Sequence, residues 1–197
     1  MRNLVSSSFG LGLVLAGSIT LNGMAVERDA SLLVGTKACA MCHKKAESGD
    51  QFGKWQSTAH AKAVEMLASP EAKAAGAKVG VAEPQKSGKC LKCHSTAYNF
   101  TEESKATEKV LVEDGVSCES CHGPGKNYKA KATMEDQKKC IEAGMIYPAT
   151  TSCALCHNEQ SPTWNAEKYT TKDGKKVGFD AEQAYEKIKH PDPKKQK

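Results

Sequence analysis

The pattern Cys-x-x-Cys-His occurs four times in this chain of 197 residues, beginning at residues 39, 90, 118 and 153. Two thiols separated by two residues can both reach one edge of a porphyrin and add to its vinyl groups. The histidine that follows then lies beneath the ring, where it can bind the iron as the proximal axial ligand. The sequence therefore predicts four covalently bound haem c groups. The predicted attachment cysteines and proximal histidines are Cys39, Cys42 and His43, Cys90, Cys93 and His94, Cys118, Cys121 and His122, and Cys153, Cys156 and His157.

Zinc knuckles and thioredoxin-like redox pairs also contain Cys-x-x-Cys. A zinc ribbon needs two such pairs but no histidine fixed after each pair, and a redox pair normally occurs once. Four copies with histidine always in the same place favour haem over both. The ninth cysteine, Cys140, lies outside the motifs. We interpret it as a small buried apolar residue, with a reactive or intermolecular thiol as the alternative. We expect no disulfide framework.

The number of histidines limits how the predicted irons can be ligated. Four haem irons accept eight axial ligands, whereas the chain contains six histidines, four of them proximal. His60 and His190 remain, so at most two haems can receive two histidines from this chain. We expect both to be distal iron ligands. The other positions need a different ligand, a ligand from a partner chain, or none. The candidate substitutes within the chain are Met66, Met134, Met145, Cys140 and the lysines.

Helix-forming residues and capping signals follow the first motif. The predicted helices cover residues 55–67, 70–76, 133–144 and 180–189. The expected start signals are Ser57 or Thr58, Pro70, Thr133 with Asp136, and Asp180 with Gln183. In the first helix His60, Val64 and Leu67 share one face, so His60 is expected to point towards the core. His190 follows the last helix. The predicted fold class is mainly α with extensive irregular loops.

The composition predicts a thin polypeptide core. Aromatic residues make up 6% of the chain and charged residues 26%, so apolar side chains alone would bury little surface. About 43 residues of the mature chain serve each predicted haem, and a haem is a large, flat and mostly apolar body. We therefore expect a multihaem c-type cytochrome in which the haems form the core.

The N-terminal stretch has the features of a secretory signal peptide. Arg2 is its only charged residue, the run from Phe9 to Leu21 consists of apolar and small residues, and small residues precede the expected cleavage site near Ala25. A membrane anchor is the weaker alternative, because the run is too short to span a bilayer. We predict a signal peptide at residues 1–25 and a haem domain at 26–197. The mature protein is then periplasmic and has no integral membrane segment.

The formal net charge of +5 does not indicate a nucleic-acid or anionic-membrane partner. Removal of the signal peptide removes Arg2 and leaves +4. Each haem adds two propionates, and a ferric iron offsets one of these two charges. The oxidised holoprotein is therefore expected to be close to neutral.

Three segments resemble the cytochrome c-554 family. They are residues 55–63 (Trp-Gln-Ser-Thr-Ala-His-Ala-Lys-Ala), residues 118–128, which begin with the third motif and continue Gly-Pro-Gly-Lys-Asn-Tyr, and residues 179–190. The resemblance implies a mainly helical fold with stacked haem pairs, in which His60 and His190 are distal ligands. It also implies that the haem held by His94 is five-coordinate. The family has a third distal histidine after the third motif, which residues 129–134 lack. Met134 is the predicted replacement, as a ligand of the first haem.

Electron transfer between redox protein donors and acceptors is the predicted function, because closely packed haems pass electrons without bond chemistry. These partners include membrane-bound or multihaem proteins. One alternative is an enzyme in which an open haem reacts with nitric oxide, hydroxylamine, nitrite or peroxide. Another is a subunit of a larger haem assembly with ligands shared between chains. Because no distal acid or base can be identified in the sequence, we predict no catalytic residues.

Overall fold

The computed structural model describes residues 28–191, so the predicted signal peptide at 1–25 lies outside the described residues. Within this range the chain forms nine short α-helices. They are α1 (Thr36–His43), α2 (Gln51–Gln56), α3 (Ala63–Met66), α4 (Pro70–Ala77), α5 (Gly88–His94), α6 (Cys118–His122), α7 (Lys131–Met134), α8 (Gln137–Glu142) and α9 (Ala181–Ile188). Six 3-10 helices connect them, at Ala30–Leu32, Ala46–Ser48, Pro84–Lys86, Thr96–Tyr98, Val112–Asp114 and Ala149–Leu155. The prediction of a mainly α fold with extensive irregular loops is confirmed.

A short β-hairpin precedes the last helix. Strands β1 (Tyr169–Thr170) and β2 (Lys176–Val177) are antiparallel, with Tyr169 opposite Val177. No helix between residues 28 and 191 combines the length and the apolar composition needed to cross a bilayer.

Three of the four haem motifs lie at the ends of α-helices. The first ends α1, the second ends α5, and the third forms the whole of α6, so that His43, His94 and His122 are each the last residue of a helix. The fourth differs. Its Cys153 belongs to the 3-10 helix Ala149–Leu155, and His157 follows that helix. The helical turn brings both thiols of a motif to one side, which suits their attachment to a single porphyrin edge.

The predicted helix over residues 55–67 is wrong in its boundaries. The structure has α2 ending at Gln56 and α3 beginning at Ala63, with turns between them. Ser57 and Thr58, the expected N-caps, instead donate hydrogen bonds back to the carbonyls of Lys54 and Trp55, at 2.7 Å each. These bonds satisfy the last carbonyls of α2, and the helix therefore ends where the sequence predicted one to begin.

The predicted capping box at Thr133 is also wrong. Residues 131–142 form two helices, α7 and α8, and Asp136 is itself the N-cap of α8, since its carboxylate accepts from the amides of Lys138 and Lys139. The other two start signals are confirmed. Ser69 caps α4, whose first residue is Pro70, and Asp180 caps α9 by accepting from the amide of Gln183.

Apolar side chains fill a small interior within the described range. Leu91, Pro84 and Cys140 are its largest fully buried side chains, whereas Met41 and Met66 are 67% and 54% exposed. The other buried apolar residues are Ala63, Leu67, Ala75, Val81, Ala97, Val110 and Tyr128. Three of these seven are alanine, and the buried apolar residues are few, so the polypeptide alone buries little apolar surface.

A buried carboxylate connects the first and third motif regions. Glu119 is one of the two residues between the cysteines of the third motif, and it is 2% exposed. Its two oxygens accept hydrogen bonds from the amides of Val34 (2.9 Å), Gly35 (2.9 Å) and Gly125 (2.7 Å). Gly35 precedes α1 with φ of +80°, and a Cβ there would lie 1.8 Å from the carbonyl oxygen of Lys109. The start of α1 is therefore positioned by a side chain of α6.

We expect Glu119→Ala to lower the free energy of unfolding by about 3 kcal/mol, because three buried amides lose a charged acceptor. Guanidinium unfolding followed by far-ultraviolet circular dichroism measures the change. Glu113→Ala, at an exposed position, is the matched control and should change it by less than about 0.5 kcal/mol. Equal destabilisation by both variants would show that these three hydrogen bonds do not stabilise the fold.

Candidate haem-binding sites

Two pairs of histidine rings face each other across a gap that fits a metal ion. The ring centroids of His60 and His157 are 6.0 Å apart, with 57° between the planes, and those of His122 and His190 are 5.9 Å apart, with 39° between the planes. Two imidazoles on opposite sides of one metal, each with a metal–nitrogen bond of about 2 Å, have centroids about 6 Å apart. The structure therefore brings each predicted distal histidine opposite a motif histidine, His60 with the fourth motif and His190 with the third.

Burial favours the neutral form of these imidazoles. Desolvation, with smaller contributions from the neighbouring His190 and His43, lowers the pKa of His122 to about 4. The pKa values of His60 and His157 are also lowered, mainly by burial. A neutral imidazole has the nitrogen lone pair that a metal needs.

His60 is held by the segment that leads into the third motif. It lies in the turn between α2 and α3, and its carbonyl accepts a hydrogen bond from the amide of Val116 at 2.9 Å. The indole nitrogen of Trp55 donates to the Val116 carbonyl at 2.8 Å. Gly115 has φ of +65°, and a Cβ there would lie 2.6 Å from the His60 carbonyl oxygen. The close approach of the two segments therefore requires glycine at this position.

The β-hairpin and helix α9, near the C-terminus, position His157 and His190. Phe179 stacks on the ring of His157 with a centroid distance of 4.7 Å and an angle of 7°, and Tyr169 of β1 packs edge-on against Phe179 at 5.9 Å. His190 follows α9, and the carbonyl of the next residue, Pro191, accepts from the side-chain amide of Gln51 at 2.9 Å. Residues 179–190 therefore contribute to both histidine pairs.

His43 and His94 remain once the two pairs have used four of the six histidines. The Nδ1 of His43 donates to the side-chain oxygen of Gln51 at 3.2 Å, and the Nδ1 of His94 donates to the carbonyl of Ala63 at 3.0 Å. Since each Nδ1 is hydrogen-bonded, Nε2 is the nitrogen left for a metal. This arrangement is typical of histidine ligands. Gln51 thus links the first motif's histidine to the backbone beside His190.

Thiols of different motifs lie next to each other. The thiols of Cys39 and Cys118 are hydrogen-bonded, which lowers the pKa of Cys39 and raises that of Cys118. A hydrogen bond from Cys156 likewise lowers the pKa of Cys93 to about 7. Burial, with a smaller contribution from Cys153, raises the pKa of Cys121 to about 11. The first motif therefore adjoins the third, and the second adjoins the fourth. The third and fourth are joined by the hydrogen bond from the Ser152 hydroxyl to the Cys121 carbonyl at 3.1 Å.

Sequence reasoning missed Arg28, which joins the third and fourth motifs. Its guanidinium is 8% exposed. It donates to the carbonyls of Glu119 and Ser120, at 2.8 Å each, and to the hydroxyl of Ser152 at 2.9 Å. Ser152 in turn donates to the carbonyl of Cys121 at 3.1 Å. Main-chain carbonyls have no sequence signature, so no pattern in a single sequence could have indicated these contacts.

A further N–H donor of Arg28 fits a bound haem. Its Nε is buried and has no hydrogen-bond acceptor among the described residues. A buried donor without an acceptor costs about 1–3 kcal/mol. A haem propionate is a carboxylate that could accept this bond, and Arg28 lies beside the attachment cysteines Cys121 and Cys156. The histidine pairs, the clustered thiols and this donor are all consistent with bound haem.

Met134 and Cys140 contact each other where α7 meets α8. The thiol of Cys140 donates to the carbonyl of Thr133 at 3.2 Å and lies 4.0 Å from the sulfur of Met134. Cys140 is 1% exposed, which confirms its interpretation as a buried residue. Within residues 28–191 none of the nine cysteines forms a disulfide bond. Ligation of the first haem by Met134 stays a prediction.

Comparison with known proteins gives three matches. A family model described as "Cytochrome c554 and c-prime" matches residues 38–123, which contain the first three motifs. The chain is 30% identical over 174 residues to cytochrome c-554 of Nitrosomonas europaea, covering 80% of this chain and 71% of that protein. A solved structure of the reduced state of cytochrome c554 from the same organism is 27% identical, with a TM-score of 0.48 over 79% of this chain and 77% of that chain.

We expect His60→Ala and His190→Ala each to convert one low-spin haem iron per chain to the high-spin state, because each removes one imidazole of a facing pair. Electron paramagnetic resonance of the oxidised protein measures the high-spin fraction. Met66→Ala removes an exposed sulfur close to His60 in sequence, and as the matched control it should leave the spectrum unchanged. An unchanged high-spin signal in either histidine variant would exclude that histidine as a ligand.

Proposed function

Because the chain belongs to the cytochrome c-554 family, we propose that it is a periplasmic tetrahaem carrier that relays electrons between redox proteins. Membership of this family makes it a c-type cytochrome with covalently bound haem and a role in electron transfer. The number of haems, their ligands, their order, the location and the partners are the parts that we propose. Bound haem supplies the one-electron redox couple, and the polypeptide positions it and tunes its potential.

The single observation that carries the proposal is that the structure contains two pairs of histidine rings, with the two rings of each pair about 6 Å apart. His122 with His190 and His60 with His157 would hold the third and fourth haem irons from both sides. Two imidazoles saturate an iron, so such a site exchanges electrons but does not bind a substrate. These two sites favour electron transfer over catalysis.

The contacts between motifs support an order for the four attachment sites. Cys39 adjoins Cys118 and Cys156 adjoins Cys93, and the hydroxyl of Ser152, beside Cys153, donates to the carbonyl of Cys121 at 3.1 Å. The order of the attachment sites is then first, third, fourth and second. The third and fourth motifs form the centre of this order, and Arg28 places a buried positive charge between them. A positive charge near an iron raises its reduction potential, because it stabilises the reduced form.

The two outer sites have one histidine each. We propose His43 and Met134 as the ligands of the first haem iron, and His94 alone as the ligand of the second. A methionine ligand raises the potential relative to two histidines. The hydrogen bond from Nδ1 of His94 to the Ala63 carbonyl holds the ring with Nε2 available to the iron. The outer sites then differ from the central sites in both ligation and accessibility.

The predicted signal peptide supports a periplasmic location, since this type of haem attachment takes place outside the cytoplasmic membrane. We propose redox proteins as electron donors and acceptors, including membrane-bound or multihaem ones. The alternatives are an enzyme acting on a small nitrogen or oxygen species at the His94 site and a subunit of a larger haem assembly. Each alternative gives a different result in the experiment below.

We expect the purified exported protein to contain four haems per chain by pyridine haemochrome assay and intact mass. Paramagnetic resonance of the oxidised protein should show two irons with paired imidazoles and one high-spin iron, and nitric oxide should bind to that high-spin iron alone. Met134→Ala should add a second high-spin iron, whereas Met66→Ala should not.

Three results would contradict this proposal. Fewer than four haems would disprove the tetrahaem assignment. Steady turnover of nitric oxide, hydroxylamine, nitrite or peroxide without a protein partner would favour the enzyme alternative. A high-spin signal that disappears as the protein concentration rises would indicate a ligand shared between chains.

A further inference from the structure

The first haem motif lies at one end of the order of attachment sites, since the contacts between thiols connect it to the third motif. It is also the most accessible of the four. Cys42 is exposed, whereas the other seven attachment cysteines are partly buried. An electron-transfer protein exchanges electrons most readily where a terminal haem lies close to its surface. The surface around α1 is therefore the first place to look for a docking site.

A groove lies along α1 on the side opposite Cys39 and His43. Lys37, Ala38 and Met41 line it, and with 3.6 residues per turn they lie on the opposite side of the helix from Cys39 and His43. Leu33 and Val34 add apolar surface, and the volume is about 550 Å³. The groove is thus separated from Cys39 and His43 by the width of α1, about 10 Å, and the exposed Cys42 lies one turn from Ala38 at its edge.

Four lysines surround this groove, and we call it the lysine groove. They are Lys37, Lys109, Lys126 and Lys129. All four are exposed. Among the described residues, none of them forms an ion pair with a carboxylate. Glu108 is the one acidic residue in the lining. The lysine groove therefore concentrates positive charge in a holoprotein that we expect to be close to neutral overall.

We propose that the lysine groove docks an acidic redox protein and that electrons pass between this partner and the first haem. The inference rests on the proposed electron-carrier function. Carboxylates of the partner pair with the four lysines, and an apolar residue packs on the exposed side chain of Met41 and the surface of Leu33. The charges raise the association rate by steering the partner. The small apolar area keeps the complex transient, as an electron carrier requires.

Charge reversal in the lysine groove tests the proposal in the oxidised holoprotein. The electron donor is photoreduced flavodoxin, an acidic flavoprotein, and flash photolysis measures the second-order rate constant. We expect Lys37→Glu with Lys126→Glu to lower this rate constant about tenfold or more at an ionic strength of about 10 mM, and the difference to vanish at about 500 mM. Neutral photoreduced lumiflavin should reduce this variant at the wild-type rate.

The matched control is Lys73→Glu with Lys175→Glu, two exposed lysines outside the groove. It makes the same change in net charge and should lower the flavodoxin rate less than about twofold. If Lys37→Glu with Lys126→Glu does not accumulate, the neutral pair Lys37→Gln with Lys126→Gln should lower the rate about threefold. An equal fall in the groove and control variants, or no fall in the groove variants, would overturn the proposal.

Failure of the docking site and failure of the proposed function give different results. A wild-type protein with fewer than four haems, or one that lumiflavin does not reduce, would contradict the electron-carrier function itself. A wild-type protein with four haems and normal reduction by lumiflavin, in which groove charge reversal has no effect, would contradict the lysine groove alone.

Discussion

Two pairs of imidazole rings, each held opposite one another at about 6 Å, are the constraint on which the rest of the structure depends. The rings of each pair are tilted and not stacked, and burial lowers the histidine pKa values and favours the neutral imidazoles that a metal binds. A metal ion between the rings explains the arrangement, because each ring then contributes a lone pair to one iron. Each ring of a pair comes from a different part of the chain. Binding one iron between the rings of each pair therefore holds the turn after α2 against the fourth motif and the end of α9 against the third.

Few apolar side chains are buried, and buried hydrogen bonds therefore hold together the segments that carry the haem motifs. Glu119 holds the start of α1, and Arg28 holds α6 to the segment before the fourth motif. Both act largely on main-chain groups. Their geometry therefore depends on the path of the backbone rather than on matching side chains. Such contacts define the spacing of the motifs more closely than small side chains such as Ala63 and Ala97 could, because hydrogen bonds are directional whereas apolar packing is not.

The parts of the site that could be predicted are those that are local in sequence. Cys-x-x-Cys-His is read within five residues, and the caps at Ser69 and Asp180 are satisfied within one helical turn. Counting the histidines identified His60 and His190 as candidate distal ligands, but it did not show which motif each one lies against. Long-range contacts could not be predicted, including which motif histidine each candidate faces and the contacts of Arg28. The helix boundary at Ser57 was mispredicted because a hydroxyl can bond the amides of the next helix or the carbonyls of the previous one, and propensity does not distinguish the two.

The shortage of histidines determines where such a molecule can exchange electrons. Residues 129–134 contain no histidine, so paired imidazoles are restricted to the third and fourth sites, which the contacts between motifs place at the centre of the proposed order. The sites on His43 and His94 then form the two ends. A saturated, partly buried centre changes little when it gains an electron, because both of its axial bonds are already made. The two end sites have one histidine each, and the first of them lies beside the exposed Cys42 and the lysine groove. In the arrangement that we propose, unequal ligation separates two roles within one chain, with a conducting centre and ends that exchange electrons with other molecules.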